Sequence, residues 1–348
     1  MHQLMCKRRA GPATTRNRCR PLTVCSFNMT NFLSLLVRRA VPFCVLAVFA
    51  VSLLAQQPEA PLVRSETHLV DFTFSVRRAD GTLVRGLSQS DFQILEDGAP
   101  QTISFFGKET DLPLTLGLLV DSSDSQNKFF KRHRKDIAKF LSTVVRPQDE
   151  VFSICFGNHL RLTSDNTSSP AAVLDGLERF DKGDRKFPEL AADDTRDGGT
   201  AVYDAVFYSI QQKLAQASGR RRALILFTDG EENSSSHDLL DAIDAARETD
   251  TLIYAIRYTG EDHSRTAAAH HGIAALHHLA SESGGSDYDA LHTDVNEAFA
   301  QIADELRSLY SVAYHSTHHK RDGGFHHVVI TAGDESYTVH ARTGYYAR

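Results

Sequence analysis

Three uninterrupted apolar runs constrain this chain most. They are residues 114–120 (Leu-Thr-Leu-Gly-Leu-Leu-Val), 223–227 (Ala-Leu-Ile-Leu-Phe) and 251–256 (Thr-Leu-Ile-Tyr-Ala-Ile). A strand that is apolar on both faces must be covered on both, as in parallel sheets flanked by helices. Helical faces fall between the runs. Phe130, His133, Ile137, Phe140, Leu141 and Val144 share one side of a helix, and Val202, Ala205, Val206, Ser209 and Ile210 share another. Leu239, Ala242, Ile243 and Ala246 form a third such face, and Val295, Phe299, Ile302, Leu306 and Leu309 extend a last helix over residues 294–310. Residues 164–199 read as a long polar connection with one short helix at 171–177. The β-α-β-α order predicts an α/β fold with a doubly wound, mostly parallel sheet.

The flanks carry a different period. Residues 68–76 alternate apolar and polar side chains, and Asp80-Gly81 and Asp97-Gly98 are hairpin turn pairs beside the strand-like 92–96 and 102–106. Strand-like 311–316, 326–332 and 336–342 follow the α/β region. Small β-sandwich-like segments are therefore expected at 63–108 and 311–348, around an α/β domain at 113–310. The first segment is too short for an independent core, so it is expected to pair with the last.

Charge divides the chain at residue 55. Eight of the 38 Lys and Arg residues and none of the 44 Asp and Glu residues precede it, which leaves the remainder with 30 basic against 44 acidic residues. A body that acidic is a poor match for phosphate backbones, so no nucleic-acid partner is expected. Residues 40–55 form a charge-free run after Arg38-Arg39, and Ala55 offers a small residue at a cut site. Residues 1–55 thus read as a secretion leader, with Met29 as an alternative start, and 56–62 as a linker. The chain is expected to be secreted or to lie in the periplasm or cell envelope. The alternative is an inner-membrane anchor at 40–55, the one membrane contact foreseen, although the run is short of the about 20 residues a span needs. Cys6, Cys19, Cys25 and Cys44 lie in the leader. Cys155, in a strand-like run, reads as a small buried hydrophobe.

Polar residues follow two of the apolar runs. Asp121-Ser122-Ser123-Asp124-Ser125 comes after the first, and Thr228-Asp229-Gly230 after Phe227. Gly198-Gly199-Thr200 opens the helix between them. In a doubly wound sheet all three pieces lie at the carboxyl edge, where ligands bind. In an extended loop Asp121, Ser123 and Ser125 would point one way. Two carboxylates and three hydroxyls around one point suit a hard divalent cation.

That set, with Thr200 in Gly-Gly-Thr-Ala-Val-Tyr-Asp-Ala and Asp229 in Phe-Thr-Asp-Gly, resembles the metal-ion-dependent adhesion site of von Willebrand factor type A (VWA) domains. The flanking Gly86-Leu87, Asp91-Phe92, Ile94-Leu95-Glu96-Asp97-Gly98 and Gly344-Tyr345-Tyr346-Ala347 resemble the VWFA-related family of secreted proteins abundant in Acidobacteria. The resemblance implies a Rossmann-like VWA fold and bound Mg²⁺ or Mn²⁺. Ser123 and Ser125 would be direct ligands, Asp121 direct or through water, with Thr200 and Asp229 completing the set. It implies a binding or adhesion role, in which the metal engages a carboxylate of a protein partner. Asp124 departs from the family pattern, where Gly is common, and Glu231-Glu232 adds negative charge that could disfavour an acidic ligand. Asp204 reads equally as a first-turn helix residue or as support for the site.

Two other classes compete with that expectation: a structural scaffold of an envelope assembly, and a metal-dependent hydrolase. The second is weak. No Gly-x-Ser-x-Gly elbow, phosphate-cradling loop or Cys-His signature is present, and an aspartate nucleophile at 121 would want a carboxylate where Ser123 stands. Twelve of the 17 histidines follow residue 260, including His270-His271, His277-His278, His318-His319 and His326-His327. They could form a transition-metal site, but adjacent side chains diverge on helix or strand. They are therefore expected to be exposed polar positions.

Overall fold

Strand β5 (Leu114–Asp121) is buried along its whole length and lies inside a seven-stranded sheet. It pairs in parallel with β6 (Glu150–Phe156) on one side and β9 (Arg221–Thr228) on the other. Parallel β10 (Thr251–Arg257) and β11 (Asp287–Asp289) extend the sheet beyond β9. Antiparallel β7 (Leu160–Thr167) and β8 (Glu189–Leu190) close it beyond β6. In this computed structural model the described residues are 69–109, 112–191, 198–260, 266–318 and 322–347. Residues 1–55, expected to be a leader and holding four cysteines, the expected linker at 56–62 and residues 63–68 of the expected first β segment lie outside them. All described residues belong to one compact unit, Glu66–Arg348. No helix among them is long and apolar enough to cross a membrane.

Alternation along β5 splits its side chains between two cores. Leu114, Leu116, Leu118 and Val120 meet helices α1 (Phe130–Val144), α2 (Pro170–Asp181) and α6 (Val295–Leu306) through Phe140, Leu177 and Ile302. Leu119 points the other way, into the core under α3 (Val202–Ser209), α4 (Leu239–Glu248) and α5 (Ala267–Ser283), with Val206, Ile243 and Leu276. Helices on both faces make the doubly wound α/β fold expected from the apolar runs.

Two local expectations change. The last helix stops at Leu306, because Leu309 and Tyr310 pair with Glu109 and Lys108 in a sheet; strand pairing there overrides a period that fitted a helix. The connection after residue 164 holds more structure than its polarity suggests. Strand β7 continues to Thr167, and α2 runs four residues beyond the short helix expected. It starts where Ser169 caps the Ala172 N–H and Pro170 occupies the first turn.

The flanking strands form two antiparallel four-stranded sheets. One has the order β14 (Tyr337–Ala341), β1 (Leu69–Arg78), β12 (Leu309–His315), β4 (Ile103–Glu109). The other runs β15 (Gly344–Tyr346), β13 (Phe325–Ala332), β2 (Phe92–Glu96), β3 (Ala99–Gln101). Both sheets therefore mix strands from either side of the α/β region. Phe72, Phe74, Phe92, Ile94, Tyr314, Val328 and Ile330 fill the core between them. A buried ion pair links β1 to the α/β region: Arg77 Nη2 donates to Glu305 Oε2 of α6 at 2.6 Å, and the Ser75 hydroxyl donates to the other carboxylate oxygen.

Candidate metal centre at the carboxyl edge of the sheet

Asp121 ends β5 and is fully buried. Its Oδ1 accepts from the Ser123 N–H at 2.9 Å, and its Oδ2 accepts from the Thr228 hydroxyl at 2.5 Å. The chain then turns rather than running extended, with the N–H groups of Gln126 and Asn127 both donating to the Ser123 carbonyl. Convergence of the loop hydroxyls comes from this turn, which brings Ser123 Oγ and Ser125 Oγ to 3.2 Å. Ser125 Oγ in turn donates to Asp229 Oδ2 at 2.7 Å. Gln126 Nε2 donates to the same oxygen at 2.7 Å, and the Glu231 N–H holds Asp229 Oδ1. Asp124 is exposed, accepts from the Asn127 side chain at 3.4 Å and, like Glu231, lines the cleft in front of these oxygens.

Thr200 reaches the same cleft from the loop before α3. Its N–H donates to Asn233 Oδ1 at 2.8 Å. Gly199 has φ +86, and a β-carbon there would meet that same Asn233 oxygen at 2.1 Å, so glycine is required. Glu232 is committed to the scaffold. Its carboxylate accepts from the N–H groups of Val202 and Tyr203 at the start of α3, and from those of Ser234 and Ser235. A carboxylate at a helix N-terminus satisfies amides that have no intrahelical partner. Asp204 also supports the loop, holding the Ser236 and His237 N–H groups and His237 Nδ1.

Burial pushes the Asp121 pKa up to about 7; hydrogen bonds from Ser123 and Thr228 pull it down, and the nearby Asp229 adds to the rise. Two buried carboxylates, Asp121 and Asp229, thus lie close enough to repel each other. Their hydrogen-bond donors are hydroxyls, an amide and backbone N–H groups rather than Lys or Arg. The open side is a cleft of about 710 Å³ lined by Ser123, Ser125 and Thr200, with His159, Arg161 and Arg185 also in its wall. Arg161 is paired with Glu189 at 2.9 Å. The Arg185 guanidinium stacks on the Phe180 ring at 4.0 Å and donates to the Phe180 carbonyl.

Four of the five residues singled out in the sequence are therefore joined by hydrogen bonds or direct oxygen contacts, and Thr200 lines the same cleft. Sequence reasoning missed the supports: Thr228, Gln126, Asn233 and Glu232. Only Thr228 carried a local signal, its place inside Phe-Thr-Asp-Gly.

A doubly wound sheet with a polar cleft at its carboxyl edge defines an α/β domain of the ligand-binding kind. The von Willebrand factor type A domain profile matches residues 116–304, more than half of the chain, and the chain belongs to that family. No curated protein matches it by sequence. Similar solved structures include the conserved hypothetical protein BatB of Bacteroides thetaiotaomicron, at 17% identity over 56% of this chain and 97% of that one, TM-score 0.41. Another is proximal thread matrix protein 1 of the mussel byssus with a zinc-occupied MIDAS motif, at 14% identity over 60% and 49%, TM-score 0.43. A third is the VWA domain of SpRpn10, at 14% identity over 55% and 95%, TM-score 0.36.

Proposed function

We propose that Asp121, Ser123, Ser125, Thr200 and Asp229 hold Mg²⁺ or Mn²⁺, and that the protein uses this centre to engage a carboxylate of a protein partner. One observation carries the reading. Ser123 Oγ, Ser125 Oγ and Asp229 Oδ2 follow one another at 3.2 and 2.7 Å. An octahedral shell with metal–oxygen bonds of about 2.0–2.1 Å sets neighbouring ligands about 2.9 Å apart. The all-oxygen donor set fits a hard cation, and two buried carboxylates held by hydroxyl, amide and backbone N–H donors leave charge for it to neutralise. When bound, the cation supplies an electrophilic coordination position facing the cleft.

The chain's own residues do the rest. Thr228 and the Ser123 N–H fix the Asp121 carboxylate, while Gln126 and the Glu231 N–H fix Asp229. The cleft wall carries both signs: Arg161 and His159 are paired with Glu189, Arg185 stacks on Phe180, and Asp124 and Glu231 line the same wall, so preference for an acidic ligand rests on the cation. Because Glu232 caps α3, its charge is spent within the fold instead of repelling that ligand. Binding is favoured over catalysis because both oxygens of buried Asp121 are engaged, a poor arrangement for a nucleophile. The leader-like residues 1–55, and the flanking motifs similar to the secreted VWFA-related Acidobacterial family, support a role outside the cytoplasm.

A pull-down from envelope extract, with and without chelator, tests this. A partner retained by the wild type and lost with chelator or Ser123→Ala is expected. Partners indifferent to both would overturn metal-dependent binding, and Mg²⁺ affinity with no recoverable partner would favour a scaffold role.

A further inference from the structure

The histidine pairs do not all stay at the surface. Within the pair His326-His327 the side chains diverge as the alternation of a strand requires, but His326 turns inward and is only 8% exposed. There it meets a histidine from a different pair, His318, at a ring-centroid separation of 4.9 Å. Beside them lies Glu96, the last residue of β2, which is fully buried. Ligand atoms of Glu96, His318 and His326 all fall within 4.8 Å of one another.

Each buried member is held by one polar atom and left empty-handed at the other. His326 Nδ1 lies 2.7 Å from Asp97 Oδ2, and Asp97 is itself pinned by the His327 N–H at 2.9 Å. The Nδ1 proton is thereby assigned to this hydrogen bond, which leaves Nε2 with a lone pair, and that buried Nε2 has no partner. Glu96 repeats the pattern. Its Oε1 accepts from the Ser316 hydroxyl at 2.6 Å and from the Tyr345 hydroxyl at 3.3 Å, while buried Oε2 has no partner. The Tyr314 hydroxyl feels this carboxylate, but it makes no hydrogen bond of normal geometry.

We propose that Glu96, His318 and His326 form a second cation site, which takes a divalent transition ion of the Zn²⁺ type. Two buried acceptors without a hydrogen-bond partner, Glu96 Oε2 and His326 Nε2, converge here beside the His318 ring, and a carboxylate that orients a histidine through its other nitrogen is the usual support of a metal-binding imidazole. Two imidazoles and one carboxylate suit Zn²⁺, whereas the oxygen-only cleft at the sheet edge suits Mg²⁺. A tetrahedral centre with bonds of about 2.0 Å places its ligands about 3.3 Å apart, so the cluster must contract. His318 can supply that movement, since its side chain is 46% exposed. The ion would clasp the segment after β12 to β2 and β13, tying the two antiparallel sheets together.

The test titrates Zn²⁺ into the full chain, with Mg²⁺ in excess, by calorimetry, and Co²⁺ by visible absorption. One Zn²⁺ per chain is expected, with the intense bands of four-coordinate Co²⁺. Both should survive Asp121→Ala, which damages only the sheet-edge centre. Both should be lost in His318→Ala, and Asp97→Asn should weaken binding about 10–100-fold. His318 is exposed, so its substitution leaves folding intact even if a variant at buried His326 does not fold. Wild-type Zn²⁺ affinity in His318→Ala would assign the ion to other histidines and overturn the site, as would an absence of Zn²⁺ binding to the wild type.

Discussion

The Thr228 hydroxyl donates to Asp121 Oδ2 across 2.5 Å while accepting from the Gly230 N–H at 3.0 Å. One side chain therefore sets the orientation of the first-strand carboxylate and the turn that carries Asp229. Thr228→Val keeps the shape and removes the hydroxyl. Mg²⁺ affinity is expected to fall about 10–100-fold, as when other supports of metal ligands are lost. Calorimetry reads the change, and circular dichroism checks that the fold is retained. Unaltered Mg²⁺ affinity would mean that Asp121 is not a ligand or needs no support.

Glu232 satisfies four backbone N–H groups, two at the start of α3 and two in the loop that follows β9. Removing such a cap costs about 1–2 kcal/mol. Glu232→Ala should lower the unfolding free energy by that amount, read as a lower midpoint in urea denaturation. Glu232→Gln, which keeps acceptor capacity and drops the charge, should lie between it and the wild type. Equal midpoints for all three proteins would rule out the cap as a stabilising contact.

Arg77 and Glu305 are both buried, and their pairing joins β1 to α6. Losing one partner strands the other charge in the interior, at a cost of about 3–5 kcal/mol. Arg77→Met alone is expected to show that loss in chemical denaturation. Adding Glu305→Leu should recover part of it by removing the orphaned carboxylate. A double variant no more stable than the single would count against a stranded charge as the cause.

His133 is packed against Phe129, Phe130, Phe227 and Tyr258, its ring centroid 4.4 Å from that of Tyr258, and neither ring nitrogen has a partner. Burial pushes its pKa down to about 3, with the Arg132 charge adding to the effect. A histidine whose folded pKa is depressed leaves the protein fully stable above the unfolded value near 6.5, and stability falls as pH drops toward 3. The difference amounts to about 2 kcal/mol by pH 5. His133→Phe should flatten this part of the profile. Thermal melts of the two proteins at pH 7.5 and 5 give the comparison: an equal acid loss in both would show that His133 is not responsible.

The fold class was legible because β5, β9 and β10 are apolar on both faces, a local property that only a covered parallel sheet accommodates. Asp121, Ser123, Ser125, Thr200 and Asp229 were legible because each sits beside an element boundary that the pattern marks. Their supports were not. Glu232 reaches the N–H of Val202 across 30 residues of sequence, and no local period encodes such a contact. The same holds for His326, read from sequence as an exposed polar position but buried; His318 is exposed as expected. Only the pairing of β2 with β13 brings Glu96 and His326 together. The end of α6 was misjudged for the opposite reason: Leu309 fits the helical period, but a long-range strand partner claims it.

The interleaving of early and late strands has a consequence for how the chain folds. Ser75 and its partner Glu305 are 230 residues apart in sequence, and β1 has its neighbours in β12 and β14. At about 5–20 residues per second, β1 emerges from the ribosome on the order of ten seconds or more before the strands it needs. Throughout that interval Phe72, Phe74 and Val76, all buried at the end, stand on an unpaired edge open to aggregation or to a chaperone. The α/β region can close within its own span, whereas the β layers must wait for the last residues, which makes them the slow step of folding.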